Sequence, residues 1–136
     1  MRILVTGASS FVGAHFCRRA SQKHDVLALH HSTPLQLNGV TPVRVDLRRA
    51  RDQARLAALN ADAVVHLAAR IQAPARGEES KGEAAARVNR LMMDAVLSLG
   101  LPVAYASSTV VHWTRDTPYA RIRREDEARL AASGLP

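Results

Sequence analysis

The chain has 136 residues, of which 47% are hydrophobic, and its 19 Lys and Arg against 12 Asp and Glu give it a net charge of +7. That length predicts one domain, residues 1–136, which buries about two-thirds of its unfolded surface around a single core. Cys17 is the only cysteine, which excludes an internal disulfide, and no run approaches the roughly 18 apolar residues of a membrane span. The N-terminus enters a strand without a leader segment, so we expect a cytoplasmic protein with no membrane partner.

The positive charge is spread along the sequence. The arginines include Arg18, Arg19, Arg48, Arg49, Arg51, Arg55, Arg121, Arg123 and Arg124. Two Phe, two Tyr and one Trp are too few aromatic residues for a surface that stacks on bases. We therefore interpret the arginines as solvated surface residues, with no nucleic-acid partner and only a mild attraction for anionic cofactors.

The first thirteen residues organise the rest of the chain. Residues 3–5, Ile-Leu-Val, form an apolar β-prone run that predicts a buried strand. Small residues at 6–10 predict a tight turn, and a helical pattern begins at Phe11. A strand, a small-residue turn and a helix start form the setting in which a diphosphate lies on free backbone N–H groups.

Two glycines and a serine have separate functions in this turn. Gly7 can adopt backbone angles that are closed to other residues, and Gly13 lets the helix pack close to the strand. Ser10 narrows the approach of a diphosphate but brings a hydroxyl that can donate a hydrogen bond to it. The alternative is a turn that only packs a helix on a strand.

A second predicted strand, residues 26–29, ends at His30 and His31. In a dinucleotide-binding fold, an acidic residue at this point binds the 2′-hydroxyl of the adenosine ribose. The chain has no acid here, so a 2′-phosphate would meet donors without repulsion, which favours NADP(H) at least as much as NAD(H). Adjacent strand residues point to opposite sides and no third ligand follows, so the two histidines do not indicate a metal site.

A third strand is predicted over residues 40–45 and ends at Asp46. Asp46 can cap the next predicted helix, residues 48–59, and a capping residue can also contact a ligand. The alanines of that helix, at 50, 54, 57 and 58, are expected to face the core. Residues 63–69, Ala-Val-Val-His-Leu-Ala-Ala, predict the fourth strand and its exit.

The stretch from Arg70 to Gly82 has the composition of a surface loop and follows the carboxyl end of strand four, where α/β sheets keep their binding crevice. Residues 88–99 then carry an apolar stripe at helical spacing, which predicts core packing. Asn89 lies beside that stripe. On its own it is as consistent with a surface or capping residue as with a site.

The fifth predicted strand starts at Val103 and exits through Ser108. Tyr119 follows, and Arg123 comes four residues later, which places both on one face of a helix. A phenol is a poor acid or base at neutral pH, and a nearby cation favours its ionised form. The structural alternative is that Tyr119 anchors a helix start while Arg123 pairs with Glu127 on the surface.

Four motifs in this order resemble the extended branch of the short-chain dehydrogenase/reductase superfamily, and the resemblance covers essentially the whole chain. That branch opens with Thr-Gly-x-x-Gly-x-x-Gly, where this chain has Ser10 at the middle glycine, and it has Tyr-x-x-x-Lys where this chain has Arg123. The motifs are Thr6-Gly7 with Gly13, His66-Leu67-Ala68-Ala69, Tyr105-Ala106-Ser107-Ser108, and Tyr119 with Arg123.

The resemblance implies a role for each matching residue. Ser108 would hold the substrate oxygen, Tyr119 would exchange its proton, and Arg123 would supply the positive field. Asn89 would help to shape the active site. The residues implied to bind the cofactor are Gly7, Ser9, Ser10, Phe11, Val12, Gly13, His30, His31, Asp46, Leu47, Leu67, Ala68 and Ala69.

The resemblance also implies a fold and a function. We expect an α/β Rossmann-type doubly wound parallel sheet of five strands, order 3-2-1-4-5, with strand five left at an edge. The expected partners are a dinucleotide cofactor, a nucleotide-sugar substrate and a second copy of the chain in a homodimer. Family members continue into a C-terminal substrate domain, which this sequence lacks in complete form. The implied function is that of an NAD(P)-dependent epimerase, dehydratase or oxidoreductase acting on a sugar nucleotide or a similar hydroxyl or carbonyl substrate. The alternative is a catalytically weak or inactive dinucleotide-binding module that senses a cofactor or binds a partner.

Overall fold

The structure, a computed structural model, describes residues 1–135 of the chain. The strands are β1 (Arg2–Thr6), β2 (Asp25–His30), β3 (Val40–Arg44), β4 (Ala63–His66) and β5 (Val103–Tyr105). The helices are α1 (Phe11–Ala20), α2 (Ala50–Ala57), α3 (Lys81–Leu97) and α4 (Pro118–Ala132), and a 3-10 turn spans Thr109–His112.

The strands form one parallel sheet in the order β3-β2-β1-β4-β5, which confirms the predicted α/β Rossmann-type fold and strand order. β1 is the central strand, and Val5 lies beside Ala28 of β2 and Val65 of β4. From β1 the chain first adds β2 and β3 on one side of the sheet and then β4 and β5 on the other. In open α/β sheets, the crevice outside the carboxyl ends of the strands at such a reversal in strand order is where ligands bind.

Helices cover both faces of the sheet, so its central strands are buried on both sides. One face packs Leu4, Leu29, Leu56, Val64 and Val96 into a core. The other face packs Ile3, Val5, Val26, Ala28 and Cys17. Because both faces are apolar, β1 and β2 have continuous rather than alternating hydrophobic residues.

Helix α2 differs from its predicted form. It spans Ala50–Ala57 rather than 48–59, and the four alanines predicted to face the core are exposed. Its buried residue is Leu56. Burial of a whole leucine side chain contributes roughly 2 kcal/mol, far more than an alanine methyl, so Leu56 decides which face turns inward. Arg51 and Arg55 lie on the exposed side of the helix.

Three helices begin at a capping hydroxyl. Ser10, Ser80 and Thr117 each accept the backbone N–H of the residue three positions later. The Ser10 cap fixes the turn between β1 and α1, and therefore the edge of the crevice. Within residues 1–135, no helix has the length and apolar character that crossing a membrane requires.

Candidate functional site

A cleft of about 560 Å³ lies at the carboxyl ends of the central strands. It is lined by strand ends and by the loops that follow β1, β2, β3 and β4, together with one side of α3. Ten of the thirteen residues predicted to bind a cofactor line this cleft. They are Gly7, Ser9, Ser10, His30, His31, Asp46, Leu47, Leu67, Ala68 and Ala69.

The two glycines of the first turn hold backbone segments in close approach. Gly7 has a φ of +67°, and a Cβ on it would lie 2.7 Å from the backbone nitrogen of Ala68. A Cβ on Gly13 would lie 2.2 Å from the carbonyl oxygen of Gly7. Neither distance is tolerated between non-bonded atoms. Only glycines therefore let α1 start this close to β1, with the exit of β4 packed against the same turn.

The start of α1 offers unpaired backbone donors. The Ser10 hydroxyl accepts the Gly13 N–H at 3.1 Å, and within residues 1–135 the N–H groups of Phe11 and Val12 have no acceptor. The two residues are 81% and 61% exposed and do not line the cleft. Free N–H groups at a helix N-terminus bind anions. Phe11 and Val12 can thus contribute through the backbone only.

A buried hydrogen-bond group fastens β4 to β1 beneath the turn. The Thr6 hydroxyl lies 2.7 Å from Nδ1 of His66, its partner in the parallel register, and accepts the N–H groups of Leu67 and Ala68, each at 3.1 Å. With two N–H groups accepted, the hydroxyl proton is left for Nδ1, so the ring proton is on Nε2. Burial, with a smaller effect from Arg123, lowers the pKa of His66 to about 4. The ring is therefore neutral at pH 7.

Polar side chains meet at the other end of the cleft, where β2 and β3 end. Arg48 donates to both carboxylate oxygens of Asp46, at 2.7 and 2.8 Å, and its Nη2 lies 3.3 Å from Nε2 of His31. The hydrogen bond from Arg48 lowers the pKa of Asp46 to about 2, so the carboxylate is ionised at pH 7. Nδ1 of His30 is buried, with no partner among the described residues. Sequence reasoning missed Arg48, although its place two residues after Asp46 was a usable signal.

Two of the predicted catalytic residues have structural contacts outside the cleft. The Asn89 amide donates to the carbonyl of Arg70 at 2.7 Å and accepts its N–H at 2.8 Å. It therefore fastens the loop that follows β4, where Arg70 lines the cleft. The Ser108 hydroxyl caps the 3-10 turn by accepting the Val110 N–H at 3.4 Å.

The other two, Tyr119 and Arg123, lie together in a cluster that also contains Tyr105 and Asp126. The Arg123 guanidinium donates to the Tyr105 hydroxyl and lies 5.2 and 5.1 Å from the ring centres of Tyr105 and Tyr119. The Tyr105 hydroxyl lies 3.1 Å from Oδ2 of Asp126, and burial raises the pKa of Asp126 to about 6. Arg123 is 3% exposed, and no ion pair with Glu127 forms within residues 1–135.

The predicted proximity of Tyr119 and Arg123 is therefore present, whereas the surface pairing of Arg123 is wrong. The sequence analysis includes Tyr105 only as part of a motif and does not include Asp126, because the two residues lie on different elements, β5 and α4. Their contact depends on how α4 packs on the sheet. None of the four predicted catalytic side chains lines the cleft. Among residues 1–135, no three His, Cys, Asp or Glu side chains are grouped so as to hold a metal ion.

Solved structures with the same fold include several nucleotide-sugar enzymes. The chain aligns with WbmG of Bordetella bronchiseptica, solved with NAD, over 100% of its length at 18% identity and a TM-score of 0.75. It aligns over 98% of its length with a UDP-glucuronic acid 4-epimerase from Bacillus cereus, solved with NAD, at 20% identity and a TM-score of 0.71. It also aligns over 98% of its length with a nucleoside-diphosphate-sugar epimerase from Agrobacterium tumefaciens, at 20% identity and a TM-score of 0.76.

The chain spans about half the length of these proteins, 51%, 52% and 48% respectively. At such identities the likeness shows a shared fold. No curated protein sequence matches the chain. The model of the NAD dependent epimerase/dehydratase family matches residues 3–128, which is nearly the whole sequence. The chain therefore belongs to the NAD-dependent epimerase/dehydratase family.

Proposed function

We propose that the chain binds a nicotinamide dinucleotide in the cleft and forms the cofactor-binding part of an enzyme that acts on a sugar nucleotide or a similar hydroxyl or carbonyl substrate. The observation that carries this proposal is the Gly7–Gly13 turn, where a Cβ at either glycine would collide with backbone atoms. Among residues 1–135, nothing accepts the N–H groups of Phe11 and Val12, which this turn holds beside the cleft. The NAD complexes of WbmG and of the Bacillus cereus epimerase support it from proteins of the same fold.

The residues present fit such a group along the whole cleft. The diphosphate would lie on the N–H groups at the start of α1 and on the Ser10 hydroxyl. Adenosine would lie near His30, His31 and Asp46, where Nδ1 of His30 is buried without a hydrogen-bond partner among residues 1–135. When bound, the nicotinamide ring would supply hydride transfer. Calorimetric titration with NADH and NADPH, followed by turnover assays on UDP-sugars, tests the proposal.

The cofactor preference is expected to depend on pH. The last residues of β2 include no acid, and a 2′-phosphate near His30 and His31 gains attraction when these side chains take up a proton. The ratio of NADPH to NADH affinity should therefore rise as the pH is lowered. His31→Gln should reduce that rise, and His112→Gln, at an exposed histidine on the 3-10 turn, should not. A clear preference for NADH at every pH would refute the assignment.

For the chemical step, the candidate set is Ser108, Tyr119 and Arg123. Ser108 would hold the substrate oxygen, Tyr119 would exchange its proton, and Arg123 would supply positive charge next to the phenol. The guanidinium, however, is committed to the Tyr105 hydroxyl and is buried against two rings. This favours the second candidate function, a dinucleotide-binding module with weak or absent turnover. A guanidinium is also planar and more diffuse in charge than an ammonium.

We accordingly expect the unmodified chain to bind cofactor with little turnover and Arg123→Lys to gain activity. A lysine ammonium is compact and leaves room around Tyr119. The measurement is hydride transfer followed by absorbance of the reduced cofactor. Arg124→Lys is the matched control, since Arg124 pairs with Asp116 at 2.7 Å and does not touch either tyrosine hydroxyl. Robust turnover by the unmodified chain would contradict this expectation.

A further inference from the structure

A second groove, of about 460 Å³, lies beside the cleft on the far side of Asp46. Four arginines line it, Arg44, Arg49, Arg51 and Arg55, and His31 and Asp46 line both the groove and the cleft. These arginines come from β3, from the loop after it and from α2. These arginines are exposed, as the interpretation as solvated surface residues predicts, but the fold gathers them around one space.

The two carboxylates of the groove neutralise only part of this positive charge. Asp46 is shared between Arg48, at 2.7 Å, and Arg49, at 3.2 Å. Asp52 uses one carboxylate oxygen to accept the backbone N–H of Asp46 at 3.0 Å. Its other oxygen lies 4.0 and 3.8 Å from the side chains of Arg51 and Arg55, beyond hydrogen-bonding distance.

Arg44 makes no hydrogen bond or ion pair through its side chain within residues 1–135. Arg48 at the border and the four groove arginines face two aspartates, which leaves a surplus of three positive charges. Like charges held this close repel one another, and an anion that binds among them relieves the repulsion. Arginine forks match the oxygens of a phosphate and can bind them in pairs.

We propose that this groove binds a phosphate monoester dianion. Two sources carry that chemistry. One is the 2′-phosphate of a dinucleotide whose adenosine lies near His31, and this source rests on the proposed cofactor function. The other is a separate phosphorylated molecule that binds next to the cleft, and it requires only the groove.

The test compares the unmodified chain with an Arg44→Gln/Arg55→Gln double variant, titrated with inorganic phosphate, 2′-AMP, NAD and NADP. We expect the variant to lose about tenfold or more in affinity for phosphate and 2′-AMP and to keep its affinity for NAD. An Arg18→Gln/Arg19→Gln variant, which changes two exposed arginines on α1, is the matched control and should bind all four probes like the unmodified chain.

The four titrations distinguish the two sources of the phosphate, and they also test the groove and the cofactor function separately. If NADP affinity falls by the same factor as 2′-AMP affinity, the phosphate belongs to the cofactor, whereas an unchanged NADP affinity with weakened phosphate binding assigns it to a separate molecule. Equal phosphate and 2′-AMP affinities in the unmodified chain and the groove variant, or equal losses in the control, would overturn the proposal. Failure of NAD to bind the unmodified chain would sink the cofactor function and leave the phosphate arm to decide the groove.

Discussion

Replacing Gly13 by valine is expected to abolish dinucleotide binding. A Cβ at this position would lie 2.2 Å from the Gly7 carbonyl oxygen and 2.8 Å from Cα of Ala8, and both are backbone atoms of the same turn. Relief requires α1 to move away from β1, which carries the free N–H groups of Phe11 and Val12 out of place. Overpacking of this kind costs about 1–3 kcal/mol or more of stability. Calorimetric titration with NADPH, beside thermal unfolding followed by circular dichroism, measures both effects.

Two further variants keep this test decisive. Gly13→Ala adds the Cβ alone, so it shows the same loss of binding if the valine variant does not fold. Gly100→Ala is the control, since Gly100 has a φ of +64° but a Cβ there would meet nothing within 4 Å. It should lose about 1 kcal/mol of stability through backbone strain and bind NADPH normally. A folded Gly13→Val protein with unchanged affinity would contradict the placement of the diphosphate.

Removing Asp126 or His66 is expected to give opposite dependences of stability on pH. Burial raises the pKa of Asp126 from 3.8 to about 6, so its contribution to stability is complete below pH 4 and is lost as the pH rises through 6. Burial lowers the pKa of His66 from 6.5 to about 4, so its contribution is complete above pH 6.5 and is lost as the pH falls through 4. Each of these two contributions to the free energy of unfolding is about 3 kcal/mol. In the unmodified chain they change in opposite directions between pH 4 and 6.5.

Each variant should therefore reveal the other group. Between pH 4 and 6.5, the free energy of unfolding should rise with pH in Asp126→Asn, where His66 remains, and fall with pH in His66→Gln, where Asp126 remains. Urea unfolding at several pH values measures these slopes. The other titratable groups are present in every variant, so their effects cancel when the pH dependence of each variant is compared with that of the unmodified chain. His112→Gln is the control at an exposed histidine. Parallel slopes in the two variants would refute the assignment of either group.

The sheet and the first turn were predictable because local sequence determines them. Short apolar runs without a helical period are buried strands, and right-handed crossovers between parallel strands leave few possible orders. Gly7 and Gly13 lie where backbone segments approach closely, since a Cβ added at either would lie 2.7 or 2.2 Å from a backbone atom. Ten of the predicted cofactor-binding residues meet in one cleft because the carboxyl ends of parallel strands share an edge.

What the sequence did not reveal depends on how elements pack. Nothing local distinguishes Arg44, Arg51 and Arg55 from solvated arginines, because the groove between them exists only once α2 lies beside β3. The burial of Arg123 likewise follows from the docking of α4, which places Tyr105 of β5 against a side chain whose spacing fitted a surface pair with Glu127. The prediction that the four alanines of α2 face the core is wrong, because the residue of this helix that packs into the core is Leu56.

The most direct test of the central claim is a titration of the ¹⁵N-labelled chain with NADPH, followed through its backbone amide NMR signals. We expect the largest shifts in the turn from Gly7 to Gly13, at His30 and His31, and from Leu67 to Ala69, since these segments line or border the cleft. Signals from the outer face of α4 should stay in place. Saturating NADPH that leaves the Gly7–Gly13 signals unmoved, or that moves only signals remote from the cleft, would contradict the account.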